Sequence, residues 1–519
     1  MPIRMEKDPQ RGGQRKPDPR RNEGRGGGGG LGRLLPFLLM FLFKKPKLLI
    51  PVLIIGAIWY FFLGGSEMFS GGNYEEQQAT FSFGAELSEE EYDKAEVFEP
   101  LASIPLGSYT NRLPASVSLL KYAPKRLHQG SQGSCVGWAS SYAARTILEA
   151  QATGADPDDV AYSPAFLYNQ IALPGCQGAY MNNAMETLHQ AGDLPFSKFG
   201  YDERTCNRRP TREQLAEAAR HRIKGYNRLT QGASNYGVDL QGIKQHLAQG
   251  APVVIGMLVG GTFMHQMVGK STWKPTQRDY SGYGFSGHAM CVIGYDDNRQ
   301  AFQIMNSWGQ QWGQNGIAWV GYRDFEHFTK EAYGLYPMGK AEKFDPEILD
   351  VTFGLVDNET QQLIPLQPSG NKVFRTKSYL TPRDHFKVAI MNSVECYVYV
   401  FGEETDGSSY VLFPYTEKHS PYCGITGTRL FPKDYSMTPD ELGNRDRIAI
   451  VVTKEPIDWN VLNSRINQSR RGTYIEKVRD AISDQEFPDT RFEVDDAVHF
   501  RCRLNGKNAV ATVVEIDKR

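Results

Sequence analysis

Net charge is almost absent from this chain. Its 58 Lys and Arg stand against 59 Asp and Glu, leaving a formal charge of -1. No global field draws it toward nucleic acid, and no nucleic-acid partner is expected. Close pairs of Cys or His are also missing. The seven cysteines and ten histidines are scattered, so no zinc or other metal site is expected. No phosphate-binding glycine loop occurs, because the run 26–30 is low-complexity glycine, and no cofactor is expected. There is no internal repeat. What remains is a globular composition, 40% hydrophobic and 23% charged, over 519 residues. That length exceeds one ordinary core and implies two or three domains.

Charge is distributed unevenly. Residues 1–47 hold twelve Lys or Arg against four acids, and residues 65–110 hold ten acids against one base, Lys94. Between these blocks the run 48–65, LLIPVLIIGAIWYFFLGG, carries no charge. Eighteen residues at helical rise nearly span the hydrocarbon of a bilayer. A shorter apolar run, 34–43, precedes it and is broken by Lys44, Lys45, Pro46 and Lys47. The long basic region in front, and the lack of a small-x-small site after Phe62, favour an uncleaved anchor over a signal peptide. By the positive-inside rule the basic flank stays in the cytoplasm and the rest is exported, to the periplasm in a Gram-negative cell. The expectation is a single-pass membrane protein, N-terminus cytoplasmic and main body periplasmic or extracellular, with Trp59 and Tyr60 at the outer interface. In an exported chain the cysteines form disulfides, and an odd number leaves at least one free.

The chain divides into a disordered basic tail (1–33), an anchor region (34–65, main span 48–65), an acidic linker (66–111), and two folded stretches, 112–337 and 345–519. In the first stretch a helix is expected from Ser134 through CVGWASSYAARTILEAQ to near Gly154. A second begins at Ser163–Pro164, where Ser caps and Pro takes the first turn. A third, MNNAMETLHQAG, ends on Gly192. After Gly250 the pattern turns to strands: APVVIGMLV, HAMCVIGYD, AFQIMNSWG and GIAWVGY. Helices first and strands afterwards is an α+β order. The second stretch alternates like strands and holds one short helix, TYIEKVRDAI. Asn505–Gly506 is expected to join VHFRCRL and AVATVVEID as a hairpin.

Three clues carry chemistry. Cys135 lies where the first helix begins, and a helix N-terminus favours a thiolate. His288, in GHAMCVIGYD, precedes an apolar strand and can take a thiol proton and return it to a leaving group; His265, in GGTFMHQMVG, competes for that role. Asn306, in NSWGQQWGQNG, ends the strand AFQIM, and its amide oxygen can fix the tautomer of an imidazole, with Trp308 covering the bond. Singly these are weak, since a lone Cys is commonly a small core residue and a lone His a satisfied polar one.

Together they resemble the papain family of cysteine peptidases. The family's Gln-Gly-x-x-Gly-Ser-Cys reads here as Gln129, Gly130, Ser131, Gln132, Gly133, Ser134 and Cys135. Its His-Ala before a strand is His288–Ala289, 153 residues after Cys135. Its Asn-Ser-Trp-Gly, followed by Trp-Gly and Gly, is Asn306 to Gly309, then Trp312, Gly313 and Gly316. The resemblance covers about 112–335. It implies two subdomains, one helical and one β-barrel-like, with Cys135 and His288 on opposite walls of a cleft. It implies Cys135 as nucleophile, ion-paired with His288 as base, Asn306 as orienter, and Gln129 as oxyanion donor, acting on a protein or peptide through a thioester acyl-enzyme. Substrate contacts fall on Gly133, Gly178, Ala179, Tyr180, Met181, Gly287 and Trp308; Ala179 replaces a family glycine and narrows the approach. Gln132 replaces a frequent family Cys and Val136 a frequent Trp.

The resemblance leaves Cys176 and Cys206 without their usual partners, and a Cys176–Cys206 bridge is expected. It also makes a short pro-segment the rival reading of 66–111. Two alternatives stay open for the whole: an inactive binding or scaffold module, and an acyl transferase using the same acyl-enzyme. Residues 345–519 resemble an all-β, sandwich-like domain of unknown function that recurs beside bacterial proteases, on Asp406–Gly407 followed by Leu412, Phe413 and Pro414. A Cys396–Cys423 bridge is expected there. The reading is a non-catalytic module that places the peptidase against an envelope partner; the alternative is a domain that packs on the peptidase and stabilises it.

Overall fold

The computed structural model of the chain describes residues 3–8, 82–102, 104, 106, 113–230, 237–336, 347–433 and 435–519. The apolar runs and the basic segment beyond residue 8 lie outside them. Among the described residues no helix is long and apolar enough to cross a membrane.

The first helical run begins at Cys135, widens to a π-type coil over Trp138–Arg145 and returns to α-helix over Thr146–Thr153. Every residue of its middle section is buried. Gly154 ends it in the left-handed conformation. Pro164–Ile171 follows, with the Ser163 hydroxyl accepting from the Phe166 N–H. Met181–Gln190 is capped at Ala191, one residue before the expected Gly192.

The strands form one eight-stranded sheet. Along its path lie Gly225–Arg228, Thr329–Tyr336, Val253–Val259, Ser286–Asp296, Ala301–Met305, Ile317–Gly321 and Thr272–Trp273, and Ser116–Ser118 pairs with Ser286–Asp296. Val253–Val259, Ser286–Asp296 and Ala301–Met305 are buried almost throughout, which explains their unbroken apolar runs. Antiparallel register sets Met305 against Cys291, so Asn306 leaves its strand beside the start of the strand that carries His288.

Residues 347–519 form two sheets packed face to face. Alternate residues point into the space between them, such as Leu349, Val351, Phe353 and Leu355 from one sheet and Ile448, Ile450 and Val452 from the other. The opposite face of the second sheet, with Tyr399, Phe401 and Val451, is covered by helices Trp459–Gln468 and Tyr474–Ala481. The expected β-sandwich is present, and RIAIVVTK, apolar on both faces, takes a helical cover on its outer side. The expected hairpin is corrected. Asn505 and Gly506 have positive φ, but Val498–Arg503 joins the first sheet and Ala509–Asp517 the second. The turn passes the chain between layers.

Two further expectations change. Ile3–Lys7, placed by sequence in a disordered tail, is a strand paired antiparallel with Tyr435–Pro439, and Asp8 accepts from Lys387 and Asn358. Cys396 and Cys423 stand opposite each other in register, yet both are buried free thiols. Cys176 and Cys206 are joined, with Cα atoms 5.8 Å apart.

Candidate active site

Cys135 starts its helix on one wall, and His288 stands on the facing strand; both are fully buried. The His288 Nε2 donates to the Asn306 Oδ1 at 2.7 Å. That bond settles the tautomer and leaves Nδ1 as an acceptor with no hydrogen-bond partner among the described residues. The Trp308 ring stacks on the imidazole, centroids 4.3 Å apart, and keeps water from the His288–Asn306 bond. The Cys135 Sγ accepts from the Ala289 N–H at 3.3 Å.

Gln129 reaches the site through a loop held on two sides. Its N–H donates to the Ser307 carbonyl at 2.8 Å, and its carbonyl accepts from the Tyr201 hydroxyl at 2.6 Å. The Ser307 hydroxyl donates to the Gln129 Oε1 at 2.6 Å, which orients the amide so that Nε2 is the donor end, and Nε2 donates to the Gln132 carbonyl at 3.0 Å. Ser307 and Tyr201 were not singled out by sequence; the Asn-Ser-Trp-Gly motif contains the first, and nothing marks the second. His265 ends the short helix Gly261–His265, and no hydrogen bond or ring contact joins it to Cys135 or His288 among the described residues.

The cleft is filled by the chain's own residues 82–87. The Ser82 carbonyl accepts from Gln129 Nε2 at 3.2 Å and from Trp308 Nε1 at 3.1 Å. The Phe83 ring meets His288 edge-on, centroids 6.4 Å apart. The Gly84 N–H donates to the Gly287 carbonyl at 3.3 Å, and its carbonyl accepts from the Ala179 N–H at 2.9 Å. Ala85–Glu86 then pairs in parallel with Ala179–Tyr180. Leu87 packs where a side chain on Gly256 or Gly287 would stand, beside the Met181 sulfur. Approach is so close at Gly84 that a Cβ there would overlap the Gly133 carbonyl. Gly133, Gly178, Ala179, Met181, Gly287 and Trp308 thus all line this segment; Tyr180 is in its pairing register and half-buried.

Residues 82–102 of the acidic linker therefore form a strap across the domain. Beyond Leu87 it continues into the helix Glu89–Tyr92, where the Ser88 hydroxyl accepts from the Glu91 N–H at 3.3 Å. The Ser88 N–H donates to Glu331 at 3.1 Å. The Tyr92 hydroxyl bridges the Ala332 carbonyl and N–H at 3.0 and 3.1 Å.

Covering the site changes its electrostatics. Burial pushes the Cys135 thiol up to about 12, against the pull of the Ala289, Val136 and Cys135 N–H groups. Burial pulls His288 down to about 4, and Asn306 opposes this. Burial thus works against charge on either member, and the closed cleft opposes the expected ion pair.

The family comparison meets this geometry. Residues 121–336 match the family described as Papain family cysteine protease. That segment is a papain-family cysteine protease domain. An uncharacterized peptidase C1-like protein of Acanthamoeba polyphaga mimivirus is 28% identical over 210 residues, 39% of this chain and 66% of its own length. The cathepsin B-like CP2 of Giardia intestinalis is 28% identical over 197 residues, 37% of this chain and 62% of its own length. The chain thus spans a little under two thirds of these curated relatives. Xylellain, a cysteine protease from Xylella fastidiosa, aligns over 51% of this chain and 98% of its own with 22% identity and a TM-score of 0.40. The papain-family domain accounts for under half of the chain, and the C-terminal domain lies outside the match.

Proposed function

We propose that this protein is a cysteine peptidase folded here in a latent form. Released from the strap, Cys135 and His288 regain water and the charged pair becomes accessible. The thiolate attacks a peptide carbonyl, and Gln129 Nε2 with the Cys135 N–H holds the oxyanion. His288 protonates the leaving amine, and water resolves the thioester. One observation carries this reading: His288 Nδ1 is an unpartnered acceptor in the cleft that Cys135 enters, while its Nε2 is committed to Asn306.

The strap blocks this chemistry by direction as well as by cover. Its carbonyl at Gln129 belongs to Ser82, and the residues on the Ala179 wall follow Ser82 in sequence. A substrate whose preceding residues occupy that wall runs the opposite way. Turnover of a small peptide by the strap-free enzyme should vanish in Cys135→Ala and in His288→Ala. Full peptidase activity in Cys135→Ser would reject the mechanism.

We also propose that the apolar run 48–65 ties the protein to a membrane, with residues 3–8 on the same side as the peptidase. Ile3–Lys7 pairs with Tyr435–Pro439, and a single crossing between them would separate the two strands. The Cys176–Cys206 bridge supports an oxidising compartment for that side. Cysteines placed at Glu6 and at exposed Glu493 should react alike with a membrane-impermeant maleimide on intact cells. Opposite reactivity would restore the single crossing with a cytoplasmic N-terminus.

A further inference from the structure

The C-terminal domain meets the peptidase directly, through Tyr336 on Tyr422 and Lys224 on Glu395. It also engages the strap. Asp93 is held between Arg228 of the peptidase and Lys418 of the C-terminal domain. The Val97 N–H donates to the Lys418 carbonyl, and its carbonyl accepts from the Ser420 N–H at 3.1 Å. The Glu99 carboxylate accepts from the Tyr415 hydroxyl at 3.0 Å and lies 3.8 Å from His419, while its carbonyl accepts from Arg429 at 3.1 Å. The Ala102 N–H donates to the Thr428 carbonyl at 2.7 Å. Finally Leu106, wholly buried, with Ile104 beside it, covers Val356, Ala389 and Met391 on the outer face of the first sheet.

These contacts have a consistent chemistry. Acidic side chains meet Lys418, Arg228 and the Tyr415 hydroxyl, main-chain groups of the strap pair with those of the domain, and an apolar end closes the otherwise open sheet face. None of them involves Cys135, His288, Asn306 or Gln129. They are also separate from the grip of the cleft on Ser82, Gly84 and Leu87.

We propose that the C-terminal domain is a retention module for the strap. It binds residues 93–106 independently of the cleft, so that cutting the chain between strap and peptidase does not open the active site. This rests on the latent-peptidase reading and assigns the domain a ligand, an acidic extended peptide with an apolar C-terminal end, which in this form is the chain's own strap. A covalently severed strap held at 93–106 stays at high effective concentration over the cleft. Maturation then has a second requirement beyond the cut, which is removal or further digestion of residues 93–106.

The test uses the full chain with a site for a sequence-specific protease placed in the connection between Leu106 and Leu113. An irreversible thiol-directed peptidase inhibitor reports opening of the cleft through its rate of labelling at Cys135, read by mass before and after the cut. The expected result is that the cut chain labels within about threefold of the uncut chain. In the double variant Lys418→Glu with Leu106→Asp, the cut should raise labelling at least tenfold. Lys418 is partly exposed, and Leu106, though buried, packs on the outer face of the first sheet and not in the core between the two sheets. A cut wild-type chain that labels at the rate of a strap-free enzyme would overturn the retention role while leaving latency intact. An equally slow double variant after the cut would also overturn it. Fast labelling of the uncut wild-type chain would instead defeat the latent reading itself.

Discussion

Gly84 offers the sharpest perturbation of the closed cleft. A Cβ at this position would overlap the Gly133 carbonyl, which is backbone and cannot yield as a flexible side chain would. Gly84→Val should therefore lift the strap from the wall and break both of its main-chain hydrogen bonds, from Gly84 to Gly287 and from Ala179 to Gly84. At about 1 kcal/mol net for each bond, and a similar loss from displacing Leu87, the closed state should lose about 2–3 kcal/mol. Because about 1.4 kcal/mol is a factor of ten, the open fraction should rise roughly 30- to 150-fold. The assay is the second-order rate of labelling of the intact chain by a thiol-directed peptidase inhibitor. Mass analysis would show one label and no prior cut, with Cys135→Ala as the unlabelled control. The strap contacts outside the cleft are untouched, so the domains should remain folded and the unfolding midpoint nearly constant. A Gly84→Val chain that folds normally and labels no faster than wild type would refute the argument that this segment closes the site.

Three further outcomes follow from the same geometry. In the strap-free enzyme Gln129→Ala should cost about 2–4 kcal/mol of transition-state stabilisation, seen in kcat, whereas Asn306→Ala should cost less than His288→Ala because it only orients the base. Alkylation of the intact chain should climb with pH up to the Cys135 value of about 12, since a raised thiol pKa confines the thiolate to high pH. In Gly84→Val the midpoint should move down, and an unchanged profile would show that the strap is not the source of the burial. Replacing Cys176 and Cys206 by Ser opens a loop with a sequence separation of 30, and the chain-entropy cost of about 3–4 kcal/mol should lower the unfolding midpoint, measured by calorimetry.

Local pattern made much of the peptidase legible. The helix after Ser134, its end at Gly154, the Ser163–Pro164 start and the buried strands all follow from capping residues and apolar runs, which act over a few residues. The candidate site was legible because Cys135, His288, Asn306 and Gln129 sit in motifs whose spacing carries the family resemblance. Tyr201 escaped that reading, since its role is to hold the Gln129 carbonyl from 72 residues away and no local signal marks it.

Pairing partners were decided only by the tertiary structure. Alternation tells which face of a strand is apolar but not which strand lies beside it. VHFRCRL and AVATVVEID therefore read as a hairpin, although each finds a better partner in a different sheet. The acidic segment read as a linker because its Asp93 is met by Lys418 and Arg228, 325 and 135 residues distant, and its Gly84 and Leu87 fit a wall the chain builds later. Cys396 and Cys423 show the same limit: sequence suggested a bridge, and folding set them opposite each other as free thiols. Short-range sequence therefore determined the elements and the chemistry of the site. Long-range packing determined that the site is covered, by which residues, and which domain holds the cover in place.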